Sequence, residues 1–156
     1  MIPEQIIEKT IAKFDNDREA YESAMTEMMD GQPALVAFLS QESNDVLTEE
    51  EKDILWYISL ILISSTRADN YQVGEIAHES LADNDEANWD ILHDQPKGNF
   101  RDRVTVFFEG YEQEDLLAFV EDTVELEDDS PITTVGREVI FMSAKCVIDS
   151  IFVNEN

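Results

Sequence analysis

Ile54-Leu55-Trp56-Tyr57-Ile58-Ser59-Leu60-Ile61-Leu62-Ile63 is the stretch that decides the fold. Its apolar side chains follow one another without the alternation of a half-buried strand, so the segment is buried on most sides. The residues just upstream settle its backbone. Thr48 stands three residues before Glu51, the spacing of a capping box, in which the hydroxyl accepts from a free backbone N–H while the carboxylate reaches back to the N-cap. A helix therefore opens at Thr48 and, lacking a wet face, belongs at the centre. Crossing a bilayer takes roughly twenty apolar residues, about twice this run, so a soluble chain is expected.

The flanking segments repeat apolar residues at helical spacing. Ile7, Ile11, Phe14, Arg18, Tyr21, Met25 and Met28 step by four and three, which predicts one helix from Pro3 to Met29, stopped by Asp30-Gly31. Pro33 suits a first turn, and residues 34–43 form a short helix with Leu35, Phe38 and Leu39 inward. After a turn near Ala68-Asp69-Asn70, residues 73–93 read as a fourth helix, with Ile76, Leu81, Trp89 and Leu92 inward and a break allowed near Asp83-Asn84-Asp85. Short helices at 100–108 and 113–126 precede the acidic loop Glu127–Pro131 and a last, nearly all-apolar helix at 134–152. With five glycines and four prolines in 156 residues, the chain is expected to be a single all-α domain, a compact bundle of six to seven helices.

An internal repeat is visible. Gln32-Pro33-Ala34-Leu35-Val36-Ala37-Phe38-Leu39 lies over Gln113-Glu114-Asp115-Leu116-Leu117-Ala118-Phe119-Val120, and Asp15–Tyr21 lies over Asp83–Trp89. Long helix, short helix and apolar helix thus occur in that order twice, in pseudo-repeat halves 1–70 and 71–156. The two apolar helices should pack together at the centre.

Charge excludes whole classes of function. The chain holds 36 acids against 10 Lys and Arg, a net −26, divided as −10 over residues 1–70 and −16 over 71–156. Such a surface repels phosphate backbones and anionic headgroups, so neither nucleic acid nor a membrane is an expected partner. Salt adaptation would favour small core residues, whereas Ile, Leu, Phe and Met dominate here. The one cysteine, Cys146, and an N-terminus without a cationic or apolar leader fit a cytoplasmic setting.

Motifs for chemistry are sparse. Glu75-x-x-His78 has the form of a di-metal helix motif, and Asp90-x-x-His93 is its only companion, about 22 Å away if the intervening segment is one straight helix. Asp15-x-Asp17-x-Glu19 opens like a calcium loop, but Ala20 stands where glycine is needed and Thr26 where a bidentate glutamate is needed, so it is read as a solvated helix face. Cys146, within the last apolar helix, should behave as a small hydrophobe with a raised pKa. No glycine-rich phosphate loop or nucleophile elbow is present, and no cofactor is expected.

Two functional classes follow. The first is a non-enzymatic protein-binding module, inhibitor or immunity-like, that docks on a basic protein through Glu112, Glu114, Asp115, Glu121, Asp122, Glu125, Asp128 and Asp129, with Tyr111 and Phe119 as nearby anchor candidates. The alternative is a metal-dependent helical-bundle enzyme built on Glu75, His78, Asp90 and His93. Either way the uncompensated acids repel one another across neighbouring turns. The melting temperature should therefore rise as sodium chloride is added, and a flat profile in calorimetry would show that self-repulsion is negligible.

Overall fold

Thr48 opens the central helix as its spacing requires. In the computed structural model, which describes residues 1–125 and 129–152, Thr48 Oγ1 accepts from the Glu51 N–H at 3.1 Å and Glu51 Oε1 accepts from the Thr48 N–H at 2.9 Å. This helix runs over Glu49–Ala68 and ends in a left-handed turn at Asn70, φ 67°, which lets the Tyr71 N–H close on the Thr66 carbonyl at 3.2 Å. In chain order the helices are α1 (Glu4–Asn16), α2 (Arg18–Gly31), α3 (Pro33–Leu39), α4 (Glu49–Ala68), α5 (His78–His93), α6 (Phe100–Val104), α7 (Glu114–Thr123) and α8 (Thr134–Ile151). Single 3₁₀ turns cover Glu42–Val46 and Thr105–Phe107, and there is no strand among the described residues. The protein is all-α, as its periodicity requires.

The helices expected over 34–43 and 113–126 end earlier, at Leu39 and Thr123, and two further boundaries depart more widely from the sequence reading. The helix expected over 3–29 is broken at Asp17, whose backbone is extended and whose Oδ1 caps α2 by accepting from the Ala20 N–H at 3.0 Å. Aspartate satisfies a free N–H better as an N-cap than inside a helix, and the Phe14 and Tyr21 rings meet edge to face at 5.9 Å across the corner. With this break the described residues form eight α-helices where six to seven were expected. The segment 71–77 is irregular rather than helical, and α5 starts only at His78 and runs unbroken through Asp83–Asp85. Buried Gln32 holds this backbone: Nε2 donates to the Gly74 carbonyl at 2.9 Å, and Oε1 accepts from the Ile76 N–H at 2.8 Å.

A second glutamine does the same elsewhere. Gln113, the residue before α7, accepts from the Ile2 N–H at 3.0 Å, two residues before α1 begins. Gln32, the residue before α3, grips Ile76, two residues before α5 begins. The Gln32–Leu39 and Gln113–Val120 segments thus occupy matching settings. Asp15–Tyr21 and Asp83–Trp89 do not: the first spans the α1–α2 corner, the second lies within α5.

The core follows from packing α4 against α8. Leu60 through Ile63 and Ile140 through Ile148 are buried without interruption. On the outside α1 lies on α4, α5 on α8, and the short helices fill the seams, α3 beside α5 and α7 beside both α1 and α8.

The N-termini of α4 and α8 meet at one side chain. Glu51 is fully buried. Its Oε2 accepts from both the Thr133 N–H at 2.8 Å and the Thr133 hydroxyl at 2.9 Å, while Thr133 Oγ1 caps α8 by accepting from the Gly136 N–H at 2.9 Å. Burial alone would raise the Glu51 pKa; the hydrogen bonds from Thr48 and Thr133 outweigh it and hold the carboxyl below the usual glutamate range. Gly136 is required here, because a Cβ on it would overlap the Glu51 carboxylate.

Glu51→Gln, which puts an amide N–H₂ against at least one of these donors, should lower stability by about 1–3 kcal/mol in urea unfolding. A depressed pKa stabilises the fold above the unfolded value, about 4.3, and that increment is lost as pH falls through the folded value. The gap between wild type and Glu51→Gln should therefore shrink below about pH 4.3. Gly136→Ala should destabilise the wild type, and its penalty should vanish in a Glu51→Ala background.

Candidate functional site

The acidic residues proposed from the sequence sit on and around α7. Glu112, Glu114, Asp122, Glu125 and Asp129 are exposed, whereas Asp128 lies outside the described residues. Two are engaged within the fold. Asp115 Oδ2 accepts from the Glu4 N–H at 3.0 Å, satisfying the first free donor of α1, and Glu121 Oε1 accepts from Arg101 Nε at 3.3 Å.

Beside α7 the fold opens a groove of about 250 Å³ against α1. Its floor is apolar, formed by Ile7 and Ile11 from α1 and by Ala118 and Phe119 from α7. Four carboxylates rim it: Glu4 and Glu8 on one wall, Asp115 and Asp122 on the other. Helical spacing produces both layers. Residues 4, 8 and 11 step along one side of α1, and 115, 118, 119 and 122 along one side of α7, so each helix offers acids outside and apolar atoms inside. Glu4 and Glu8 carry no role in the sequence reading; only the packing of α1 beside α7 joins them to the acids of α7. Phe119 is half-buried and faces this groove, as an anchor would.

A related groove of about 350 Å³ lies where α3 packs on α5. Ala37 and Phe38 line it as Ala118 and Phe119 line the first, and Leu81 takes the place of Ile7. Its rim differs. Gln41 stands where the first groove has Asp122, His78 where it has Glu4, and Ala82 where it has Glu8. Asp85, which lines it, has its carboxyl raised by burial, opposed by a hydrogen bond from Trp89.

The ten basic residues leave this acidity largely uncompensated. Arg18, Lys52, Arg67, Arg101, Arg103 and Lys145 each stand within ion-pair distance of a carboxylate, and Arg137 lies over the Phe100 ring, 4.2 Å from its centroid. Lys145 is the least expected of them. It is buried on α8, with Nζ 2.7 Å from Asp149 Oδ2 and 3.3 Å from Asn88 Oδ1, above the Tyr111 ring at 4.4 Å. Asp149 also accepts from Asn88 Nδ2 at 2.9 Å and from the Tyr111 hydroxyl at 2.6 Å. Burial first, and Asp149 second, push the Tyr111 hydroxyl far above the ordinary phenol range. Tyr111 is therefore committed to the fold and is no free anchor. A lysine four residues before an aspartate, in the apolar-rich C-terminal half of α8, is the sequence signal of this network.

The metal-site candidates are not brought together. Glu75 precedes α5, so Glu75 and His78 do not share a helix, and Asp90 and His93 lie towards the opposite end of α5, about 18 and 22 Å from His78 along the axis. All four are exposed. Among the described residues no three His, Cys, Asp or Glu side chains are grouped closely enough to hold a metal ion. Cys146 is fully buried, donates to the Leu81 carbonyl at 3.1 Å, and is pushed up to about 12 by burial and the nearby Asp85. No helix among the described residues is long and apolar enough to cross a membrane.

Comparison of the chain with protein-family models, with curated proteins and with solved structures gives no match.

Asp149 receives three donors, and removing it strands a buried ammonium group. Asp149→Ala should cost roughly 3–5 kcal/mol, whereas Lys145→Met, which leaves Asp149 partly exposed and still bonded to Asn88 and Tyr111, should cost less. Denaturant midpoints in the opposite order would show that the lysine, not the carboxylate, organises the network.

Proposed function

We propose that the chain is a non-enzymatic acidic binding module that docks on a basic protein, in the manner of an inhibitor or immunity protein, through the face built by α1 and α7. The observation that carries this is the groove itself: an apolar floor from Ile11, Ala118 and Phe119 inside a ring of four carboxylates. Acids on the rim speed encounter with a cationic surface, and apolar area at the centre supplies residence once water is excluded. The net charge of −26 adds long-range steering and disfavours nucleic acid and anionic membranes as partners. Nothing in this role calls on a cofactor. A buried, unreactive Cys146 suits a reducing cytoplasm.

The two halves of the chain are, on this reading, duplicates that have diverged at the rim. What supports it is the matched placement of Gln32 and Gln113, of the N-cap residues Thr48 and Thr133, and of the two phenylalanine-floored grooves.

Immobilised protein incubated with a cell extract at low ionic strength should retain proteins of high isoelectric point and release them as salt is raised. Retention should fall when Glu8 and Asp122 are both replaced by lysine. If no basic protein is enriched even at the lowest ionic strength, docking on a cationic partner is wrong.

A further inference from the structure

We infer that the α1–α7 groove takes one linear segment of its partner, a stretch in which a single aliphatic or aromatic residue is flanked on both sides by Lys or Arg. This rests on the docking function proposed above and names the chemistry the groove selects. Size comes first. At about 250 Å³ the groove falls below the roughly 300–1,000 Å³ of small-molecule sites, and suits one inserted side chain rather than a cofactor. The charge pattern comes second. Glu4 and Glu8 lie one turn apart on one wall, and Asp115 and Asp122 two turns apart on the other, with Ala118 and Phe119 between them. An apolar side chain set against Phe119 thus has carboxylates on both sides, which cations before and after it in sequence would meet. Asp115 keeps one oxygen on the Glu4 N–H and presents the rest of its carboxylate to the rim. The comparison within the molecule comes third. The α3–α5 groove also carries an alanine–phenylalanine pair, but Gln41, His78 and Ala82 stand in place of Asp122, Glu4 and Glu8, and its two carboxylates, Asp85 and Glu86, both lie on the α5 wall, whereas the acids of the α1–α7 groove lie on both walls. Charge complementarity therefore assigns the basic segment to α1–α7, and the α3–α5 groove serves as its internal control.

The test titrates a short synthetic peptide, one leucine between two pairs of lysines, into the full-length protein while backbone amide shifts are followed by NMR. A second peptide carries serine in place of the leucine. The first should shift amides of α1 and α7 with salt-sensitive affinity, and the serine peptide should bind about tenfold more weakly. Glu8→Lys with Asp122→Lys should weaken binding at least tenfold. Gln41→Lys with Ala82→Lys, at the equivalent positions of the other groove, should leave it nearly unchanged. Glu8 and Asp122 are exposed, and the amide spectrum of the variant reports directly that it is folded. Equal binding of the two peptides, or shifts spread over the acidic surface without focus on α1 and α7, would overturn the anchored-segment assignment while leaving docking on basic proteins intact. So would retention of basic proteins by a chain that binds neither peptide. Failure to bind peptide together with failure to retain any basic protein would overturn both.

Discussion

The bundle depends on how one carboxylate is shared. Two helices that start side by side bring together two sets of free N–H donors and two positive dipole ends, an arrangement that needs an anion between them. Glu51 supplies it. One oxygen closes the capping box of α4, and the other takes both donors of Thr133, the residue that caps α8. A glutamate buried without such partners would be strongly destabilising. With three donors and two helix ends facing it, its charged form is favoured. The site has room for only one such group: Gly136, three residues after Thr133 as Glu51 is three after Thr48, leaves the volume its own side chain would have filled. Everything else is arranged around the pair this contact aligns, with α1 and α5 flanking α4 and α8 and the short helices closing the seams.

The electrostatics divide between an interior that consumes cations and a surface that displays acids. Lys145 is drawn inside by Asp149, Asn88 and the Tyr111 ring; Arg103 reaches Glu138 at 3.3 Å and the Leu92 carbonyl at 3.3 Å; Arg137 covers Phe100. Each basic group used in this way is one fewer to neutralise α7 and its surroundings. The interior pairs belong to the fold, where breaking one strands its partner, while most exposed pairs, such as Arg18 with Glu22, contribute little. The negative potential of the surface is thus partly a consequence of where the fold places its few cations.

Helix class, the central pair and the Thr48–Glu51 cap were legible because each is a local pattern: hydrophobic period, an uninterrupted apolar run, a three-residue spacing. The departures came where a contact distant in sequence decided the backbone. Nothing near Val73 announces that Gln32 will hold residues 74–76 out of a helix, and the four-and-three stepping from Ile7 to Met28 continues, with only Arg18 polar, across the corner that Asp17 caps. The candidate site was half legible. The acids of α7 stand out as a run without a basic residue, but Glu4 and Glu8 become their neighbours only because α1 packs beside α7, more than a hundred residues away in the chain. Tyr111 looked like a free aromatic and is bound to Asp149, a pairing that spacing could not reveal.

What makes the α1–α7 groove informative is that the same packing occurs twice with different edges. Floor positions such as Ile7 and Leu81 are buried where two helices approach, and a change of volume there is felt by the core. Most rim positions are exposed, and the other groove carries Gln41, His78 and Ala82 at its edge. Asp115 is the exception, held partly by its bond to the Glu4 N–H. Glu4 lies in the first turn of α1, where a carboxylate suits the helix dipole. Glu8 and Asp122 are exposed, and on the docking proposal their convergence on one apolar depression serves a cationic partner with an apolar contact residue. On the docking proposal, the scaffold fixes where a partner's side chain would be received, and the charged edge selects which kind.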